Sequence, residues 1–132
     1  MSFIDLPIEN IDEIQEDQPV PEGEYNLVII DAKEKQDESG AVKGLLVICE
    51  IEGQENAANV LHNISLPMPI DDPTKVTNKL KFIKRFVQLF KIPTQGGKLN
   101  LADFAGKRAK AFLTQEEYNG NISNRIKLPI SK

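Results

Sequence analysis

K-R-A-K-A-F-L-T-Q-E-E-Y-N-G-N-I-S-N-R-I-K-L, Lys107 to Leu128, is the stretch on which the fold turns. Ala109, Ala111 and Leu113 alternate with Arg108, Lys110 and Phe112, the period of two expected of a strand with one face buried. Tyr118 and the Asn119-Gly120 turn signal mark a tip. On the return, Ile126 and Leu128 fall on one face and Arg125 and Lys127 on the other. Folded as a hairpin, this stretch would present Arg108, Lys110, Arg125 and Lys127 on one sheet face around Phe112. Cations follow a phosphate backbone and an aromatic ring stacks on any base, so the combination suits sequence-tolerant binding of a single strand.

Working outward, the 132 residues suffice for one domain with a core. No apolar run approaches the ~20 residues of a membrane helix, no secretory signal is visible at the acidic start, and a cytoplasmic setting is expected. The single Cys49 and single His62 provide neither a disulfide nor a soft metal site. Net charge is -4 but very uneven: residues 1–24 carry eight acids and no Lys or Arg, and residues 73–132 carry thirteen Lys and Arg against three acids. Such asymmetry points to a polyanion partner or to an acidic tail that meets its own domain.

Residues 1–22 mix acids with Phe3, Ile4, Leu6, Ile8, Ile11 and Ile14 and read as a flexible acidic segment. Pro19-Val20-Pro21-Glu22-Gly23 marks the boundary to a domain over 23–132. Three strands are expected over Tyr25–Lys35, Lys43–Gly53 and Asn59–Met68, with Cys49 and His62 on core-facing positions. Asp71-Asp72-Pro73 starts a helix over Thr74–Ile92, where Val76, Leu80, Ile83, Val87 and Phe90 form the apolar stripe. Phe82 and Phe86 read as a widening of that stripe. The helical lysines read either as a solvated face or as an extension of a basic track.

The expected fold class is therefore mainly β with one helix: five strands with the helix between strands 3 and 4. That is the element order of the OB-fold, a Greek-key barrel that binds oligonucleotides on its strand 2–3 face and its 1–2 and 4–5 loops. The 1–2 connection is flanked by Lys33, Lys35 and Lys43, and the 4–5 connection holds Tyr118. The candidate nucleic-acid site is thus Lys33, Lys35, Lys43, Lys107, Arg108, Lys110, Phe112, Tyr118, Arg125 and Lys127, with Tyr25 a weaker stacking candidate.

P-E-G-E-Y-N-L-V-I-I-D-A-K at Pro21–Lys33 and G-K-R-A-K-A-F-L-T-Q-E-E-Y-N-G-N-I-S-N-R-I at Gly106–Ile126 resemble small bacteriophage single-stranded DNA-binding proteins of replication and recombination modules. The resemblance covers nearly all of the domain, and it implies an OB-type barrel, single-stranded DNA as partner and the host cytoplasm as location. In better-known bacterial single-strand binders an acidic segment at the carboxyl end recruits partners; here the acidic segment is at the amino end. A second reading makes residues 1–22 the docking element for a replication or recombination enzyme.

An enzyme is not expected. Metal-dependent cleavage needs carboxylates clustered at a cleft, whereas Asp71-Asp72 reads as a helix start and Glu50 and Glu52 as an acidic strand face. There is no Gly-rich phosphate loop, no His-based acid–base pair and no activated nucleophile. No catalytic residue, metal or cofactor is expected, and either a monomer or a homodimer is compatible with the sequence.

Overall fold

A computed structural model describes residues 3–5, 7, 17–54 and 56–129. The elements run β1 (Gly23–Gln36), β2 (Val42–Ile51), β3 (Val60–Ser65), α1 (Pro73–Phe90), a 3-10 turn (Leu101–Asp103), β4 (Arg108–Tyr118) and β5 (Asn121–Lys127). The strands form one antiparallel sheet in the order β3-β2-β1-β4-β5. It is not closed into a barrel, because among the described residues no ladder joins β3 to β5. The two edges nevertheless face each other, and Arg125 Nη1 on β5 donates to the Leu61 carbonyl on β3 at 3.4 Å.

The alternation in sequence produces a sheet with one apolar face. Leu27 and Ile29 on β1, Val47 and Cys49 on β2, Val60 on β3 and Leu113 on β4 are almost wholly buried. β1 is bulged between Ile29 and Asp31 and again between Lys35 and Gln36, which adds the local twist that rolls the sheet around this face. β3 is shorter than the Asn59–Met68 expectation because Leu66 to Pro69 turn away ahead of the helix.

α1 begins where Asp72 accepts the Lys75 backbone N–H at 2.8 Å and Pro73 occupies the first turn. Asp71 accepts from Lys79 Nζ at 2.7 Å and from the Met68 N–H at 2.8 Å, and these bonds hold its carboxyl below the usual carboxylate range. The helix ends at Lys91, whose φ of 55° is left-handed, and Pro93 prevents continuation. Its buried residues are Phe86 and Phe90, which with Phe104 close the open side of the sheet. Each ring removed from water contributes about 2–3 kcal/mol, so this triad is the main tie between helix and sheet. Phe82, expected in the same stripe, instead faces outward and is 56% exposed.

The chain ahead of β1 is anchored to the sheet. The Gln18 N–H donates to the Asn56 carbonyl and the Gln18 carbonyl accepts from the Ala58 N–H, a short parallel bridge to the β2–β3 loop. Val20 is buried, and its N–H and carbonyl are both held by the side chain of Asn124 on β5, at 2.8 and 2.9 Å. Glu22 accepts the Gln115 N–H at 2.9 Å. Residues 18–22 thus pack on the domain. Residues 8–16 of the segment read as flexible lie outside the described residues.

Candidate nucleic-acid interface

Strand register decides which candidate side chains meet. On the outward face Glu24, Phe112 and Lys127 stand side by side across β1, β4 and β5, and Asn26 lies beside Lys110. Phe112 is 41% exposed and the Lys127 ammonium stands 5.9 Å from its ring centroid. The two line a groove of about 450 Å³ together with Lys110, Leu89 and Leu128. Here an exposed ring and lysines from two strands share a concave surface on the sheet.

Three of the sheet cations, Lys110 among them, are matched by acids on another strand or its end. Arg108 Nε lies 3.2 Å from Glu52, Lys110 Nζ 3.6 Å from Glu24, and Arg125 Nε 2.7 Å from Glu116. All are partly or largely solvent-exposed, so each pair stabilises by about 0–1 kcal/mol and is open to displacement by a phosphate. Lys33 is 3.8 Å from Asp31. Lys35 donates to Asn63 on β3. Lys43 flanks the β1–β2 loop, where Asp37 accepts from the Ser39 hydroxyl at 2.7 Å and from the Ser39 and Ala41 N–H groups. Those bonds, the Ser39 hydroxyl foremost, lower the Asp37 carboxyl, and the Lys43 charge adds to the effect.

Two clusters result. One gathers Lys110, Phe112 and Lys127, with Arg108 four residues along β4. The other brings Lys35 and Arg125 to β3, where Leu61 and Asn63 face outward. Lys107 belongs to neither. It precedes β4, is half-buried, and its carbonyl accepts the Ile29 N–H at 2.8 Å. Tyr118 is 77% exposed at the hairpin tip, where Asn119 and Gly120 have φ of 50° and 81°. Six residues of strand put it ~20 Å from Phe112, so the two rings do not make one stacking site. Tyr25 packs at the core margin and its hydroxyl donates to the Pro21 carbonyl at 2.7 Å.

Cys49 and His62 occupy the core positions expected of them. Burial pushes the Cys49 thiol up to about 12. Among the described residues no group of three or more His, Cys, Asp or Glu side chains could hold a metal ion, and no helix is long and apolar enough to cross a membrane. Residue counting along the chain missed two features of this surface. Glu24 and Glu52 oppose the cations only through cross-strand pairing, and Phe82 leaves the apolar stripe at its edge. Compared with family models and with curated protein sequences, the chain matches none.

Proposed function

We propose that this chain is a non-catalytic protein that binds single-stranded DNA with little sequence preference. The observation that carries this reading is the exposed Phe112 ring beneath the Lys127 ammonium, with Lys110 on the same groove. A ring and adjacent cations on a concave sheet face stack a base and neutralise its phosphate without reading its edge. The strand order supports an OB-type architecture: joining the facing edges of β3 and β5 would complete the cyclic order of that barrel. The resemblance of Pro21–Lys33 and Gly106–Ile126 to phage single-strand binders supports a role in phage replication or recombination, with the host cytoplasm as its setting.

The test is fluorescence anisotropy with labelled dT oligomers and a matched duplex at two salt concentrations. Binding to the single strand should exceed binding to the duplex and should weaken with salt, by about 0.7 log units per decade of salt for each phosphate neutralised. No binding to the single strand at low salt overturns the reading.

A second reading has the amino-terminal segment dock on a replication or recombination protein, and it is favoured by the exposure of Phe3 and Ile4 within an acidic stretch. Residues 18–22 belong to the packed domain, so the informative truncation removes residues 1–16. Loss of partner binding with DNA binding retained supports this second reading.

A further inference from the structure

The least compensated positive charge in the described residues lies on α1 rather than on the sheet. From Pro73 to Ile92 the sequence has Lys75, Lys79, Lys81, Lys84, Arg85 and Lys91 and no acid. Asp71 pairs with Lys75 and Lys79. Among the described residues no ion pair joins Lys81, Lys84 or Arg85. This contrasts with β4, where Arg108 and Lys110 each have a carboxylate within 4 Å.

One flank of α1 has the makings of a stacking surface. Lys75, Asn78, Phe82, Arg85 and Leu89 recur at intervals of three and four, alongside the buried Phe86 and Phe90. Phe82 is 56% exposed. The Arg85 guanidinium stands 5.1 Å above its ring centroid, and Arg85 Nε is buried without a hydrogen-bond partner. Phe82 thus presents a solvent-facing ring on a helix that carries no acid. The ring also edges a groove of about 320 Å³ whose far wall includes Leu128. Leu128 is equally a wall of the groove that holds Phe112 and Lys127. Phe82 and the Phe112–Lys127 pair therefore line grooves that share Leu128, the residue after β5.

We propose that Phe82 and Arg85 form a second base-stacking step on one single-strand path, which runs from the Phe112–Lys127 pair across Leu128 onto α1. The inference rests on the single-strand reading and extends the interface to the helix. Phe82 supplies a π-face, and the guanidinium above it is a flat, weakly hydrated cation on which a base also stacks. The flank from Lys75 to Leu89 is ~21 Å long, enough for a strand to track it. A protein ligand on the same flank would need an acidic, apolar face and would leave DNA affinity independent of Phe82.

The chain has no Trp, so Phe82→Trp creates a lone reporter on α1 and Phe112→Trp one on the sheet. Both variants are titrated with dT of about 16 nucleotides, the upper end of the site size of such a fold, with anisotropy of the unmodified chain as reference. The expected result is quenching of both reporters at the concentration where the unmodified chain saturates. Phe82→Ala should weaken binding about tenfold, and Arg85→Gln should lower the log–log salt slope by about 0.7. If Phe112→Trp is quenched while Phe82→Trp is not, and Phe82→Ala binds as the unmodified chain does, the helix step is wrong and the single-strand reading stands. If the unmodified chain does not bind, both fall together.

Discussion

His62 lies flat against Phe86, with ring centroids 4.7 Å apart and planes 5° from parallel. The imidazole is thereby part of the seam between β3 and α1. Burial, and after it the charge of Arg125, push its pKa from 6.5 down to about 4. The folded protein therefore holds neutral His62 where the unfolded chain has taken up a proton. The stabilisation is complete above pH 6.5, declines as pH falls toward 4, and is constant below that. Its slope should be about 1.4 kcal/mol per pH unit. Urea denaturation across this window should show the loss, and His62→Phe should remove that part of it which the carboxylates do not cause.

Asn124 is the one buried polar side chain among the described residues of the sheet, and its bonds bind Val20 and Thr114 to β5. Asn124→Ala strips the buried Val20 N–H of its acceptor, while Gln115 Nε2 still donates to the Val20 carbonyl. The expected cost is about 3 kcal/mol. Asn124→Asp should cost more at neutral pH, since its carboxylate would face two carbonyl oxygens. Denaturation midpoints of the two variants check both the size and the order.

Gly44 sits opposite Ser65 in the β2–β3 ladder, and a Cβ there would lie 2.5 Å from the Ile64 carbonyl oxygen. The clash is with backbone and cannot be relieved by a rotamer change. Gly44→Ala should destabilise by about 3 kcal/mol, near the top of the range for overpacking. Gly23→Ala, where the nearest atom is 3.8 Å away, should change stability by less than about 0.5 kcal/mol. Thermal melts of the pair separate local crowding from a general intolerance of alanine.

Glu24 and Glu52 hold Lys110 and Arg108. On the single-strand reading these acids compete with phosphate. Glu24→Gln and Glu52→Gln should each raise affinity for dT oligomers about two- to fivefold at low salt, as expected from removing a pair worth up to about 1 kcal/mol. The gain should shrink as salt is added. Unchanged affinity in both variants would place the strand away from this face.

The parts of the structure that were legible in the sequence share a property: they depend on neighbours close along the chain. Alternation from Arg108 to Leu113 gives β4 its two faces, Asn119-Gly120 gives the turn, and Asp72-Pro73 gives the helix start. The positions of Cys49 and His62 follow from the same alternation. What the sequence did not disclose depends on pairing across it. The Glu24–Lys110 and Glu52–Arg108 contacts exist only because β1 lies beside β4, so a basic segment by residue count is nearly neutral on its sheet face. Phe82 fits the apolar spacing of α1 as well as Phe86 does, but it lies at the rim where the sheet no longer covers the helix. The anchor at Gln18 and Val20 carries no periodic signal and uses the bond-forming capacity of a single distant asparagine.

That anchor also constrains the order in which the fold can be completed. Val20 and Asn124 are 104 residues apart in sequence. During synthesis, Val20 emerges long before Asn124 exists, and β1 emerges before its partner β4. β1, β2 and β3 can pair as they appear, but the Val20 end of the sheet stays unsealed until β5 is made. A contact of such long range closes late because the loop-closure entropy must be overcome before the bonds form. Until then the apolar side of β1 has only β2, β3 and α1 to cover it, so the nascent chain presents an unfinished core while β4 and β5 are still being made.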